Sequence, residues 1–271
     1  MGEQNKNKQK ILQRIKLCSQ NNALSLNEGW RIAADFNCSL LDIETTALEH
    51  SIVPARFNRN SLSCHEQLRL FRSRVAIIGC GGLGGRTAEL LARLGVGHLL
   101  LTDPDNFSES NLNRQIFCTL QTLGLNKVEV LASELKQINP VLICTQNIHL
   151  FNTHSITGND LVIDGLDSKE ARIRLSQLCQ KQDIPMIHGA VQEWYGQAGI
   201  DQASNKLIST LYPQTTEPPK TPKVLAMSVA LVASLQAAEA IKILLGHNSA
   251  LQNSWLQTDL RHCEYNLIPL P

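Results

Sequence analysis

The chain has 271 residues, enough to bury one large core with room for a small additional module. Its 25 Lys and Arg stand against 24 Asp and Glu, a net charge of +1, which excludes the global field that would recruit nucleic acid or an anionic membrane. Eight scattered cysteines in a chain of this size argue against a disulfide framework, and the polar start 1–10 lacks a secretory pattern, so a cytoplasmic location is expected.

The first 52 residues read as a separate helical module, with predicted helices over 9–19, 26–36 and 40–51. Asn27 and Ser39 are the candidate caps near two of their starts. Three short helices can imitate a helix-turn-helix, but Arg31 is the lone Lys or Arg between 21 and 52, against Glu28, Asp35, Asp42, Glu44 and Glu49. Phosphates would repel such a surface, so a docking or dimer-supporting cap is expected rather than a DNA reader. Residues 53–271 then form the second, larger domain.

From Arg74 the pattern changes. Val75, Ile77 and Ile78 suit a strand buried on both faces, and Gly79, Gly81 and Gly84 follow it in the spacing G-x-G-x-x-G. Such a loop lets backbone approach phosphates, and the helix after it aims its N–H groups at the anion. Asp103 ends the next strand about twenty residues on, where a carboxylate can accept ribose hydroxyls. A polar block with Asn111, Arg114 and Gln115 comes next, then Lys127. A guanidinium fork and a mobile ammonium suit phosphate oxygens, although an isolated Arg or Lys is more often a solvated surface cation.

Further strands are predicted near 141–146, over 161–164 and over 184–188, alternating with helices. This order gives an α/β fold, a Rossmann-like, mostly parallel sheet flanked by helices. Asp167 stands just past the strand 161–164, where such sheets bind ligands. Either Asp167 or Ser168 can instead cap the helix predicted over 169–180. His188, ending a buried strand, reads as a hydrogen-bonded structural residue. Segments 194–200 and 206–211 read as more open, antiparallel strands continuing the sheet, and 213–222 holds too many Pro and Thr to be a helix. The apolar run 224–235 is predicted to be a buried helix ending at Gly246, too short and too polar at its end to span a bilayer.

Gly79-Cys80-Gly81-Gly82-Leu83-Gly84, Asp103-Pro104-Asp105, Ser110-Asn111-Leu112-Asn113-Arg114-Gln115 and Gly124-x-x-Lys127 resemble successive motifs of the MoeB/ThiF/HesA family, relatives of ubiquitin-activating enzymes. The resemblance runs in order through Ile138-Asn139-Pro140, Asp164-Gly165-Leu166-Asp167-Ser168, His188-Gly189-Ala190 and the segment 234–242. It implies an adenylation site for ATP and Mg2+. Gly82 would lie against the nucleotide, with Gly79, Gly81 and Gly84 forming the loop. Asp103 would hold the ribose, with Asp105 beside it, and Asn111, Arg114, Gln115 and Lys127 would contact the nucleotide and its phosphates. Asp167 would hold the magnesium. Arg56-Phe57-Asn58-Arg59-Asn60 resembles the family's Arg-Tyr-x-Arg-Gln signature, with Asn60 in place of Gln. That match implies a homodimer in which Arg59 reaches the partner subunit's ATP.

The activity implied is adenylation of the C-terminal glycine carboxylate of a small ubiquitin-fold sulfur-carrier protein ending in Gly-Gly. Many family members bind structural zinc through two Cys-x-x-Cys pairs; this chain has neither pair, so no structural zinc is expected. No cysteine falls between Cys179 and Cys263, so adenylation is implied more strongly than a later thiol step. Three other readings stay open: a non-catalytic nucleotide-binding module, an enzyme that adenylates a small carboxylic acid, and an NAD-dependent dehydrogenase, which would leave Lys127 without a task.

Overall fold

The computed structural model describes residues 2–213 and 223–271, so the Pro-rich stretch predicted over 213–222 lies almost wholly outside the described residues. The chain forms two compact units, Met1–Arg72 and Ser73–Pro271.

The first unit contains α1 (Gly2–Cys18), β1 (Ala23–Leu24), α2 (Leu26–Asp35), α3 (Leu40–Glu49), β2 (Val53–Pro54) and α4 (Cys64–Arg72). Ile11, Ile15, Leu24, Ile32, Ala33, Ile43, Ala47 and Ile52 make its core. Ser39 caps α3 with a reciprocal capping box to Asp42. The cap of α2 is Ser25 rather than Asn27: its hydroxyl accepts the Glu28 N–H, and Asn27 already lies inside the helix. Compactness extends past residue 52. Arg56 forks onto both carboxylate oxygens of buried Glu44 on α3, and Phe57 meets Phe71 of α4 edge to face with ring centres 5.6 Å apart.

The second unit is built on an eight-stranded sheet. Its strands are β3 (Arg74–Ile78), β4 (His98–Thr102), β5 (Ile143–Asn147), β6 (Leu161–Asp164), β7 (Met186–Gln192), β8 (Tyr195–Asp201), β9 (Ser254–Asp259) and β10 (Glu264–Pro269), in the spatial order β10-β9-β8-β7-β6-β3-β4-β5. β3 to β7 pair in parallel, whereas β7–β8, β8–β9 and β9–β10 are antiparallel. The helices α5 (Gly82–Leu94), α6 (Lys127–Ile138) and α9 (Ala226–Leu245) form one layer, and α7 (Lys169–Lys181) with the short α8 (Leu207–Leu211) forms the other. Ala76, Ile78, Val162 and Met186 pack toward Leu175 and Cys179 of α7 and Ile208 of α8. Leu83, Val229, Val232 and Ala233 close the opposite side.

One element departs from the sequence-based expectation. Residues 206–211 are not a strand: Lys206 turns left-handed at φ 51°, and Asp201 Oδ1 accepts the Ile208 N–H at 2.9 Å, so the chain coils into α8 instead. The further antiparallel strands are β9 and β10, which close the sheet at its C-terminal edge. Helix α9 runs through the apolar segment to Leu245 and is stopped by left-handed Gly246, as the sequence predicts. At 20 residues it is long and apolar enough to cross a bilayer, yet it packs on α5, β6, β7 and β8.

The order reverses between β3 and β6, since β4 and β5 lie to one side and β6 and β7 to the other. Loops leaving the two central strands therefore meet at the carboxyl edge, where open α/β sheets bind ligands. The meeting is close. Gly79 takes φ +88°, and an added Cβ there would fall 2.6 Å from the Gly165 carbonyl oxygen. A Cβ on Gly84 would fall 1.8 Å from the Gly79 carbonyl oxygen. Gly79 and Gly84 therefore shape the loop rather than wait for a ligand. Gly84→Ala is expected to destabilise the fold by more than the ~1–3 kcal/mol of an overpacked core, because its obstacle is backbone. A denaturant midpoint equal to wild type would reject that packing.

Candidate active site

The glycine loop opens α5 with Gly81 as its N-cap, and no side chain caps the helix. Its first N–H groups lack intrahelical partners and carry the positive end of the helix dipole. A Cβ on Gly81 would stand 3.4 Å from Gln115 Nε2, and one on Gly82 would stand 3.1 Å from Val229 Cγ1 and 3.5 Å from the Arg114 carbonyl oxygen. The side-chain-free strip is thus walled by Arg114, Gln115 and the start of α9.

Asp103 follows β4 and is buried. Its Oδ2 accepts the Cys80 N–H at 2.7 Å and its Oδ1 the Asp105 N–H at 2.9 Å, tying the acidic residue to the glycine loop. Desolvation pushes its carboxyl above the usual Asp range, opposed chiefly by the nearby Lys127 charge. Lys127 begins α6, capped by Asn126. Its Nζ, although buried, reaches Asp105 Oδ2 at 2.9 Å and Asp103 Oδ1 at 3.9 Å.

The polar block lies between β4 and α6. Asn111 is buried and its Oδ1 accepts the Ser108 N–H at 3.1 Å, fixing the turn from which Arg114 projects. Arg114 Nη1 donates to the Ser110 carbonyl and to Asn113 Oδ1, both at 2.9 Å, so no carboxylate neutralises it there. Gln115 is buried, and its Oε1 has no hydrogen-bond partner. Arg114 and Gln115 line a cavity of about 320 Å³ with Arg86, Val229 and Ala230. Arg86 and the α9 residues were not expected from sequence; the GxGxxG spacing counts glycines and ignores the turn that follows.

On the other side of the switch point Asp167 is exposed beyond β6. Ser168 caps α7 by accepting the Ala171 N–H at 3.2 Å, so capping does not occupy Asp167. Beneath it lies a buried network that sequence reading found only at His188. Asp164 Oδ2 is 2.7 Å from His188 Nδ1 and 3.3 Å from Arg172 Nε. Arg172 also donates to the Leu166 and Gly189 carbonyls and to the Tyr212 hydroxyl, and Gln197 lies 3.0 Å from His188 Nε2. Through the Leu166 carbonyl, which accepts from Arg172, and the Leu166 N–H, which Asp164 Oδ1 accepts, this network braces the loop that carries Asp167.

His188 is fully buried, and desolvation holds its imidazole below the ordinary His range despite Asp164. The unfolded imidazole takes a proton near pH ~6.5, the folded one only at lower pH, so stability present above that range is lost as the pH falls. Thermal midpoints are expected to drop between pH 7.5 and 5.5, and less steeply in His188→Gln. Parallel curves for the two proteins would reject this assignment.

The second unit therefore assembles Gly81, Gly82, Asp103, Asp105, Asn111, Arg114, Gln115 and Lys127 along the carboxyl edge of β3 and β4, with Asp167 at the edge of β6. Arg59 belongs to the first unit, exposed just after the turn Ala55–Phe57. Among the described residues no three His, Cys, Asp or Glu side chains converge as a metal cage. The cysteines nearest this edge are held as thiols: Cys80 is buried, and Cys118, which lines the cavity, is buried, donates to the Ser108 carbonyl and is pushed up by burial, as are Cys144, to about 11, and Cys179, to about 12.

Known proteins resemble this chain in sequence and in fold. The molybdopterin-synthase adenylyltransferase of Haemophilus influenzae is 34% identical over 233 residues, covering 80% of this chain and 94% of the relative. The SAMP-activating enzyme E1 of Haloferax volcanii is 32% identical over 212 residues, covering 75% and 78%. The crystal structure of E. coli MccB with ATP superposes with a TM-score of 0.65 at 18% identity, over 96% of this chain and 86% of that one, and so shares the fold. Residues 56–271 match the ThiF family, and the chain belongs to that family.

Proposed function

We propose that the protein is an ATP-dependent adenylyltransferase that activates the C-terminal glycine carboxylate of a small ubiquitin-fold sulfur carrier. The carboxylate attacks the α-phosphorus, forming a carrier acyl-adenylate and releasing pyrophosphate. No general base is needed, because a carboxylate is already ionised at neutral pH. The observation that carries this reading is the grouping of Asp103, Lys127 and the uncompensated Arg114 around the uncapped start of α5. A dehydrogenase has no use for the two cations. Relatives named for molybdopterin-synthase adenylylation and for activation of SAMP support the enzyme class and a small protein substrate.

Each residue has a distinct task in this reading. The N–H groups after Gly81 and the fork of Arg114 bind and align phosphate oxygens, work in which positioning and charge supply most of the rate. Lys127 exchanges Asp105 for a phosphate oxygen, and Asp103 keeps the ribose in place. The exposed carboxylate of Asp167, with no hydrogen bond among the described residues, fits magnesium, which binds through one or two carboxylates plus phosphates. When bound, the metal supplies neutralisation of phosphate charge. The enzyme is further proposed to be a cytoplasmic homodimer, with Arg59 serving the partner's site.

The test is carrier-dependent ATP–pyrophosphate exchange, followed by intact-mass detection of AMP on a Gly-Gly-ending carrier. Exchange stimulated by a small carboxylic acid and not by any such carrier would favour the small-molecule reading. Absence of exchange with tight ATP binding would favour a binding module.

A further inference from the structure

Arg86 has no place among the motif residues, yet it lines the same cavity as Arg114 and Gln115. It stands on the second turn of α5, and helical side chains lean toward the helix N-terminus, here toward the glycine loop. Its Nη1 donates to Glu89 Oε2 at 2.6 Å, while Glu89 Oε1 accepts Arg93 Nε at 2.8 Å. One carboxylate is thus divided between two guanidiniums, Arg114 faces neutral acceptors, and among the described residues no Asp or Glu lines the cavity. The lining is therefore cationic.

Two atoms of these lining residues are buried without a hydrogen-bond partner among the described residues: Arg86 Nε and Gln115 Oε1. Gln115 is only 7% exposed. Buried polar groups are ordinarily paired, so these two side chains of the lining hold hydrogen-bonding capacity that a small rotation can turn toward the cavity. A carboxamide turned by half a rotation presents its NH2 where its oxygen stood, so Gln115 can donate to an anion beside the Arg86 fork.

We propose that this cavity receives the β- and γ-phosphates of ATP and then the pyrophosphate, with Arg86 as a direct contact to the leaving group. The inference rests on the adenylation reading above. When the carboxylate oxygen bonds to the α-phosphorus, the bond from that phosphorus to the bridging oxygen breaks. The electron pair stays on pyrophosphate, so negative charge grows where Arg86 and Arg114 stand. A planar guanidinium holds two phosphate oxygens at once, which an ammonium cannot do. AMP lacks both outer phosphates and does not reach Arg86.

Calorimetric titration of the full-length protein with ATP, pyrophosphate and AMP tests this, using Arg86→Gln and Arg86→Lys. Arg86→Gln is expected to weaken ATP and pyrophosphate about tenfold or more, the scale of one charge-assisted hydrogen-bonded contact, and AMP less than twofold. Arg86→Lys keeps the charge without the fork and should fall between; it carries the test alone if the Gln protein does not fold. Equal weakening of ATP and AMP, or no weakening of ATP, overturns the assignment. Wild-type protein that binds neither ATP nor AMP would instead bring down the adenylation reading, and this inference with it.

Discussion

Arg114→Ala and Lys127→Ala are each expected to lower carrier-dependent ATP–pyrophosphate exchange by roughly 100-fold or more, the ~3 kcal/mol scale of one preorganised contact to developing charge. The two substitutions are not equivalent in the resting protein. Arg114 is held by the Ser110 carbonyl and the Asn113 side chain, neutral acceptors at the surface, so its removal leaves no charge stranded. Lys127 is buried against Asp105 and Asp103, and its loss leaves a desolvated carboxylate without its main compensation. Lys127→Ala should therefore also lower the thermal midpoint, whereas Arg114→Ala should not. Wild-type exchange in both folded proteins would reject the site. A loss in Lys127→Ala alone, tracking its melting, would reduce Lys127 to a structural cation.

Much of this edge was legible because its parts are local. A buried strand, a glycine turn and an acidic residue after the next strand fix the switch point almost by themselves, and β3, β6 and the glycine loop lie where that pattern puts them. The identity of the loop glycines was legible; their division of labour was not. Gly84 is demanded by the Gly79 carbonyl within the loop, whereas Gly79 is demanded by backbone meeting backbone at Gly165, a contact between segments about eighty residues apart. Long-range closure likewise hid the Asp164–Arg172–His188–Tyr212 network, whose members come from four separate elements. The strand predicted over 206–211 failed for a local reason. Its apolar residues, 207, 208 and 211, fall at helical rather than alternating spacing, and the carboxylate of Asp201 captures the Ile208 N–H and favours a helical turn. At the N-terminal boundary, the end of the helical pattern at 52 gives no sign of Arg56 and Phe57, which anchor the following segment to α3 and α4 through long-range side-chain contacts.

Mixing two inactive proteins is expected to restore activity if Arg59 serves the neighbouring subunit. Arg59→Ala and Lys127→Ala should each be nearly inactive, since every site in either homodimer lacks one of the two cations. Subunit exchange makes about half of the dimers mixed, and by the symmetry of a two-fold interface each mixed dimer has one site with both cations intact. Exchange activity should therefore return toward about one quarter of wild type, a gain far above either parent. The exposed position of Arg59, just past the turn Ala55–Phe57, suits a residue that acts outside its own unit. Its neighbour Arg56 is committed to Glu44, so the two arginines of this signature divide into an internal anchor and an exposed cation. Arg56→Ala should accordingly fail to complement Lys127→Ala through loss of folding, which a melting curve distinguishes. If exchange of subunits is demonstrated by mass and no activity returns in the Arg59→Ala mixture, the trans assignment falls, and Arg59 either acts within its own chain or plays no part in catalysis.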